Sequence, residues 1–384
     1  VDSSAAEGHA PVSRAGAYIH VPYCAHRCTY CSFVALTDRS TEEDYFEALL
    51  REIGARRAEV SGPLDTVYFG GGTPSFVATS HLEAVVGQIQ SVFGLDASAE
   101  VTAEANPDDL TSEKFDELAA LGVNRLSLGV QSLVDEELVW LERRHGAEAG
   151  QKAVSEAVRR FGNVSADLMI GIPEQTRGTL LETARRLVEL GIRHISVYLL
   201  EMEKAPRLVK LKEEQPGLFP DDEEMADRWL AVDDFFSSKG LMRYEFSNWA
   251  RPGFESRHNL KYWQRAPTIG FGVSAHSFDG RVRRANTGST SEYIRRIRDS
   301  GMAIVSETAI EGFEQEKEEM MLGLRLRDGV PENRFNAVLA RLDRLDSDDL
   351  RSALEAGLLE RVEGHVRLTR DGVLVSNEIF SALV

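Results

Sequence analysis

The chain is poor in cysteine, with three thiols in 384 residues. So small and odd a complement excludes the disulfide framework with which small secreted domains stand in for a core, and it points to a reducing compartment. Long apolar runs are missing as well. No stretch of about eighteen apolar residues occurs, which excludes a transmembrane helix. Positive charge is in deficit. Basic residues number 44 against 62 acidic ones, and the net charge of −18 disfavours non-specific attachment to nucleic acid or anionic lipid. The opening run Val1–Arg14 is small and polar and lacks the apolar h-region of a secretory signal. A disordered lead-in over residues 1–16 and a cytoplasmic location are expected.

The thiols that are present stand together. Cys24, Cys28 and Cys31 lie in the run Tyr23-Cys24-Ala25-His26-Arg27-Cys28-Thr29-Tyr30-Cys31-Ser32-Phe33. Three thiolates fall one short of closing a cubane iron–sulfur cluster or a tetrahedral zinc site. A cluster so held keeps one iron open to a small molecule. The alternative is a structural zinc completed by His20 or His26, although zinc sites more often pair two separated hooks. A second run, Gly70-Gly71-Gly72-Thr73-Pro74, lets backbone amides approach a ligand closely; a plain turn would use the same residues.

Strand candidates recur at Ala17–Val21, Thr66–Phe69, Glu100–Ala105, Arg125–Val130, Val164–Ile170 and His194–Leu200. Helical periodicity fills the gaps at Thr41–Val60, His81–Phe93, Ser112–Leu121, Ala147–Phe161 and Thr179–Leu190. This alternation predicts parallel strands with crossover helices, an α/β partial (β/α)6 TIM-like barrel over residues 17–250. Leu121-Gly122 and Leu190-Gly191 share a grammar of helix end, left-handed glycine and new strand, and Lys239-Gly240 resembles it. Residues 251–307, with the glycine-rich 268–273, read as a barrel-closing segment. Residues 308–384 read as a small helical, winged-helix-like module: helices at Glu314–Leu326, Glu332–Leu345 and Ser347–Ala356, a hairpin around Glu363-Gly364, and a last helix. The cysteine and glycine runs both leave C-terminal strand ends, the working face of such barrels.

Tyr18-Ile19-His20-Val21-Pro22-Tyr23, Cys-x3-Cys-x2-Cys and Gly-Gly-Gly-Thr-Pro resemble radical S-adenosylmethionine proteins of the oxygen-independent coproporphyrinogen oxidase branch, over roughly residues 17–380. The resemblance implies a 4Fe–4S cluster on Cys24, Cys28 and Cys31 whose open iron chelates S-adenosyl-L-methionine and whose electron cleaves the sulfonium C–S bond. It also implies cofactor contacts at Tyr18, Tyr30, Gly71 and Glu104, and, around a second such molecule, at Gly72, Thr73, Gln131, Arg143 and Asp167.

Two features set this chain apart from the coproporphyrinogen enzymes. Phe33 stands where they carry a fourth cysteine, and the arm before the first strand is short. His258-Asn259-Leu260-Lys261-Tyr262-Trp263 is similar to the His-Asn-x-x-Tyr-Trp pattern of the family's haem chaperone branch. That resemblance implies haem binding through His258, Asn259, Tyr262 and Trp263, an imidazole ligand beside aromatic faces. His20 and His276 are weaker candidates, the first as a neighbour of the cluster and the second as an alternative axial ligand. The expected function is to carry haem to haem-requiring proteins, respiratory enzymes at the membrane among them, with a cofactor-dependent homodimer and no catalytic residues. The rivals are a coproporphyrinogen III dehydrogenase, a radical methyltransferase and a zinc-stapled binding protein.

Overall fold

The computed structural model describes residues 14–201, 206–342, 349–381 and 383. Most of the lead-in expected over 1–16, and the ends of two helices expected around 343–348, lie outside the described residues. Parallel strands β1 (Gly16–Val21), β2 (Leu64–Gly71), β3 (Leu95–Ala105), β4 (Arg125–Gln131), β5 (Val164–Ile170) and β6 (His194–Leu199) lie side by side in chain order. Crossover helices Glu42–Ala55, Thr79–Val92, Ser112–Ala120, Ala147–Phe161 and Arg177–Glu189 cover one face. Glycine ends the expected turns in the left-handed region, at Gly122 (φ 84°), Gly191 (φ 91°) and Gly240 (φ 76°).

The third of these turns leads elsewhere. β7 (Met242–Arg243) and β8 (Asn248–Ala250) are short and antiparallel, and β8 pairs with β6. β9 (Thr268–Phe271) runs parallel to β1 on its free side, and β10 (His276–Phe278), β11 (Val282–Asn286) and β12 (Ile304–Ala309) continue that edge antiparallel. With β7 and β8 on one side and β9 to β12 on the other, the sheet has twelve strands among the described residues, β12 and β7 at its two edges.

Along β1–β6 alternate side chains point opposite ways. Ile19, Val67, Phe69, Ala103, Leu126, Leu128, Leu168 and Ile195 pack under the helices in one apolar core. The other set (Tyr18, Tyr68, Glu104, Arg125, Ser127, Asp167 and His194) faces inward and makes a polar interior. Ion pairing ties the β9 edge to the first helix. Buried Glu52 meets Arg56 (3.1 Å) and accepts from the Gly272 amide (2.9 Å), Asn286 (2.7 Å) and Tyr293 (2.7 Å), while Arg56 donates to the Gly270 carbonyl (2.7 Å). A buried carboxylate so fully bonded is tolerated where an unpaired one would cost several kcal/mol.

The C-terminal module holds helices Gly312–Gly323, Glu332–Leu342 and Asp349–Glu355. Val330–Pro331 joins the hairpin Leu359–Val362/His365–Leu368 in a three-stranded antiparallel sheet. Its turn, Glu363 (φ 50°) and Gly364 (φ 79°), is the two-residue left-handed type that suits hairpin twist. Two short helices, Arg370–Leu374 and Ser376–Ser381, follow where one was expected.

Candidate functional site

The C-terminal ends of the parallel strands surround a cavity of about 520 Å3. Its wall begins with the loop leaving β1. The Cys24 amide donates to the Leu36 carbonyl (2.9 Å) and the Leu36 amide to the Pro22 carbonyl (2.6 Å), which closes the loop at its base. Buried His20 holds the loop's far limb through the Val34 carbonyl (2.9 Å) and meets the Tyr18 hydroxyl (3.2 Å). Both ring nitrogens are therefore occupied, and burial pushes its pKa below the usual imidazole range. Cys24, Cys28, Cys31 and Phe33 all line the cavity, Phe33 with 60% of its surface exposed. Burial pushes the Cys24 thiol up to about 11, against the pull of the Thr73 hydroxyl (3.1 Å), and raises Cys31 as well. Such thiols ionise only when a cation or metal supplies the compensating charge.

The glycine run is zipped to that loop. The amides of Gly72 and Thr73 donate to the Val21 and Tyr23 carbonyls (both 2.8 Å). A Cβ on Gly72 would stand 2.7 Å from the Val21 oxygen and 2.9 Å from the Tyr23 oxygen. Gly71 adopts φ 107°, and a Cβ there would strike the His20 ring at 2.5 Å. Glycine is required at both positions by close approach of backbone and ring.

From β3, Glu104 accepts from the Tyr68 hydroxyl (2.8 Å) and the Gly71 amide (3.1 Å). Burial pushes its carboxyl up to about 7, with Asp167 adding to the rise and the two hydrogen bonds opposing it. Burial likewise lifts Asp167 to about 6. Arg143 crosses from the loop after β4, donating to the Asn106 side chain and the Gly129 carbonyl (both 2.6 Å) and reaching Cys28 Sγ and the Tyr30 hydroxyl (both 3.4 Å). Gln131 ends β4 in a left-handed backbone (φ 67°), strain of the kind that collects at functional sites. Gln131 Oε1, Asp167 Oδ1 and Arg143 Nε are buried without a hydrogen-bond partner. Buried polar atoms are rarely left so, and those of a ligand's own size and polarity would satisfy them.

Of the residues expected at the cofactors, all but Tyr18 line this cavity. Tyr18 lies one layer deeper, stacked on Tyr68 with centroids 6.2 Å apart. Ser127, Met169 and Tyr198 also line the cavity at inward positions of β4, β5 and β6, and Tyr68 reaches Glu104 from β2; their signal is the alternation of side chains along the strands, while Asn106, just past β3, carries no such signal. The His-Asn-x-x-Tyr-Trp segment is not brought to the cavity. It forms helix Arg257–Trp263, capped by Ser256, against the opening residues of β2. His258 is 1% exposed, Nδ1 bonding to Thr66 and Nε2 to Tyr262 (both 2.8 Å), and its ring stacks on Tyr68. Burial first, then Lys261 and Arg125, push its pKa down to about 3. Trp263 faces a separate crevice against the C-terminal module, and His276 opens β10, exposed.

An open parallel barrel with three cysteines on its first loop, a glycine run on the second and a polar cavity between them defines a radical S-adenosylmethionine protein. Residues 18–187 match the Radical SAM superfamily and residues 314–375 the HemN C-terminal domain. The chain is 37% identical to the heme chaperone HemW of Bacillus subtilis, covering 96% of this chain and 98% of that protein. It is 31% identical to the Escherichia coli heme chaperone HemW, covering 94% and 96%. A further relative is the mitochondrial radical S-adenosyl methionine domain-containing protein 1 of Bos taurus, 32% identical over 100% of this chain and 90% of that one. The solved coproporphyrinogen III oxidase of Escherichia coli superposes with a TM-score of 0.82 at 22% identity, over 98% of this chain and 91% of that one, a likeness of fold. The chain belongs to the HemW family of the radical S-adenosylmethionine superfamily. Membership of the superfamily implies a 4Fe–4S cluster and S-adenosylmethionine. Among the described residues no helix is long and apolar enough to cross a membrane.

Proposed function

We propose that this protein is a cytoplasmic haem carrier. It binds haem in company with a 4Fe–4S cluster and S-adenosylmethionine and hands it to haem-requiring proteins, respiratory enzymes among them. The observation that carries this reading is identity of 31–37% along nearly the whole chain with proteins named heme chaperone HemW. Cys24, Cys28 and Cys31 would hold the cluster, and Gly71, Gly72, Thr73, Glu104, Gln131, Arg143, Asp167 and Tyr30 would meet the cofactor, with Tyr18 supporting them from below. The donor set suits both groups: three thiols on one short loop, a glycine wall open to backbone contact, and unpartnered polar atoms. When bound, cluster and cofactor supply one-electron chemistry at a sulfonium centre. Arg143 ties the cysteine loop to the end of β4, and Glu104 ties the glycine loop to Tyr68, so both loops are fixed before anything binds. In this reading the site gates dimerisation and transfer.

An axial-ligand role for His258 requires helix Arg257–Trp263 to leave its seat, because both imidazole nitrogens are bonded within the barrel. The enzyme reading, a coproporphyrinogen III dehydrogenase or methyltransferase, draws on one observation: the cavity continues past the cysteines to Tyr198 and Glu201. The test is an anaerobic haem titration of cluster-reconstituted protein followed by Soret absorbance, run beside a coproporphyrinogen III turnover assay. Saturable, near-stoichiometric haem uptake without turnover supports the carrier. Turnover without specific haem uptake replaces it with the enzyme.

A further inference from the structure

Sulfurs that hold a cluster pass on the charge their hydrogen-bond donors withdraw, so donors aimed at them help set its reduction potential. Each cysteine of the first loop has such a donor. The Thr73 hydroxyl lies 3.1 Å from Cys24 Sγ, Arg143 Nη1 lies 3.4 Å from Cys28 Sγ, and Cys31 accepts from the Phe33 backbone amide. The third donor belongs to the loop's own backbone. The first two come from outside the loop, and both lead back to Arg143.

The direction of the Thr73 contact follows from its partners. Arg143 Nη2 donates to the Asn106 side-chain oxygen (2.6 Å), and a guanidinium only donates, so the amide must turn its oxygen that way. Asn106 Nδ2 then points at Thr73 and donates to Oγ1 (3.1 Å). With its oxygen accepting from Asn106, the Thr73 hydroxyl has one proton left to give, and Cys24 Sγ is the acceptor beside it. Among the described residues no other group competes for that proton. A metal-bound thiolate has no proton to offer, which fixes the same direction. The backbone holds both residues in place: the Thr73 amide donates to the Tyr23 carbonyl (2.8 Å), and the Asn106 amide to the Ser75 hydroxyl (3.3 Å). Thr73 and Cys24 are both buried. In such a setting a hydrogen bond is electrostatically stronger than in water, and each donor along a chain polarises the next.

We propose that Arg143, Asn106 and Thr73 form a one-way hydrogen-bond relay that draws charge from Cys24, while the same guanidinium draws it from Cys28, and that the relay raises the reduction potential of the cluster. An added electron makes the cluster more negative, so donors on its sulfurs favour the reduced form. Thr73 and Asn106 act here as positioning residues, each through the next group in the chain. The inference rests on the 4Fe–4S reading of the cysteine loop and is independent of haem carriage.

The test is a redox titration of the full, anaerobically reconstituted chain with dithionite, followed by electron paramagnetic resonance of the reduced cluster. Thr73→Val removes the hydroxyl at nearly constant shape, and Thr73→Ser keeps it. Asn106→Asp replaces the Nδ2 donor by a carboxylate oxygen, which accepts the Thr73 proton and so takes it from Cys24. The expected result is a reduction equilibrium constant about three- to tenfold smaller in Thr73→Val and Asn106→Asp, at most roughly 59 mV for one electron, with Thr73→Ser at the wild-type value. In deuterium oxide, both shifted variants should show one exchangeable deuteron fewer coupled to the cluster. That count separates loss of the relay from the mere charge that Asn106→Asp adds. Asn106→Asp also keeps the local packing, so its spectrum decides the point even where Thr73→Val takes up less iron. A wild-type potential in Thr73→Val, or an undiminished deuteron count in Asn106→Asp, overturns the relay and leaves the cluster standing. Zinc in place of iron and acid-labile sulfide in the wild-type chain overturns both.

Discussion

Glu104 is pulled two ways, toward the neutral acid by burial and toward the carboxylate by the Tyr68 hydroxyl and the Gly71 amide. The folded chain therefore keeps its proton up to about pH 7, whereas the unfolded chain releases it near 4.5. Between those values the folded state binds more protons. The stability contributed by neutral Glu104 is complete below about 4.5 and is lost as pH rises through 7. Glu104→Gln removes this dependence. In the unloaded protein the variant should gain on the wild type by about 3 kcal/mol between pH 4.5 and 8, read as the difference of two urea-unfolding series. The difference is the readout because buried His258, with its pKa pushed down to about 3, titrates with the opposite sign below 6.5. A gap that stays constant with pH would show that the carboxyl is ionised throughout. Gly72 gives a second test at this scale. Gly72→Ala forces a Cβ onto backbone oxygens that cannot move without opening the cysteine loop, so it should cost roughly 1–3 kcal/mol and lower iron and acid-labile sulfide per chain. Gly87→Ala, with open space around it in helix Thr79–Val92, should instead stabilise by about 0.5–1 kcal/mol and leave iron content unchanged.

Helix Arg257–Trp263 is set apart from the cavity and seated against the barrel. Its histidine reaches into the barrel, the backbone amides of Arg257 and His258 rest on Glu100 (3.2 and 3.1 Å), and its lysine pairs with Asp65 (2.7 Å). His258→Ala removes a ring stacked on Tyr68 and strands the hydroxyls of Thr66 and Tyr262. A loss of about 2–4 kcal/mol is expected, seen as a lower urea midpoint at unchanged slope. An unaltered midpoint would mean that the helix is not seated as described. The elements themselves are mostly legible in the chain, because a helix end followed by a left-handed glycine is a local event, as at Leu121-Gly122 and Leu190-Gly191. Pairing direction is not local. Lys239-Gly240 carries the same signal yet leads to the two-residue antiparallel β7, and Thr268–Phe271 joins β1 across two hundred and fifty residues of chain, roughly. The inward turn of Tyr68 is not legible either, since Thr66–Phe69 reads only as a strand candidate and its neighbours across the barrel are set by the sheet. At the site, the cysteine and glycine runs announce themselves through spacing. Tyr68 and Asn106 matter through partners distant in the chain, Glu104 and His258 for the first and Thr73 for the second, which spacing does not encode.

At the scale of the whole molecule, the barrel and the C-terminal module meet through ion pairs such as Arg265 with Glu318 and Arg370 with Asp234, and through one guanidinium that touches three rings. Arg325 lies 4.6 Å from the Phe380 ring centroid, 5.3 Å from Phe246 and 5.6 Å from Trp263, so it touches the module's last helix, the loop between β7 and β8, and the end of the His258 helix at once. Phe246 and Phe380 stack at 5.7 Å beneath it. Backbone contacts reinforce the joint: Glu245 bridges Leu326, and the Arg327 amide donates to the Tyr244 carbonyl (3.0 Å). Partly desolvated cation–aromatic contacts are worth about 0.5–2 kcal/mol each. Removing three together should therefore uncouple two bodies that otherwise unfold as one. Arg325→Ala is expected to turn a single calorimetric transition into two, the module melting first, with the barrel's cluster content retained. Arg325→Lys keeps the charge but not the flat face that rests on three rings, so it should fall between the two. If Arg325→Ala still melts in one transition, the backbone pairing at 244–245 and 326–327 and the ion pairs of Arg265 and Arg370 are sufficient to couple the halves without the Arg325 guanidinium.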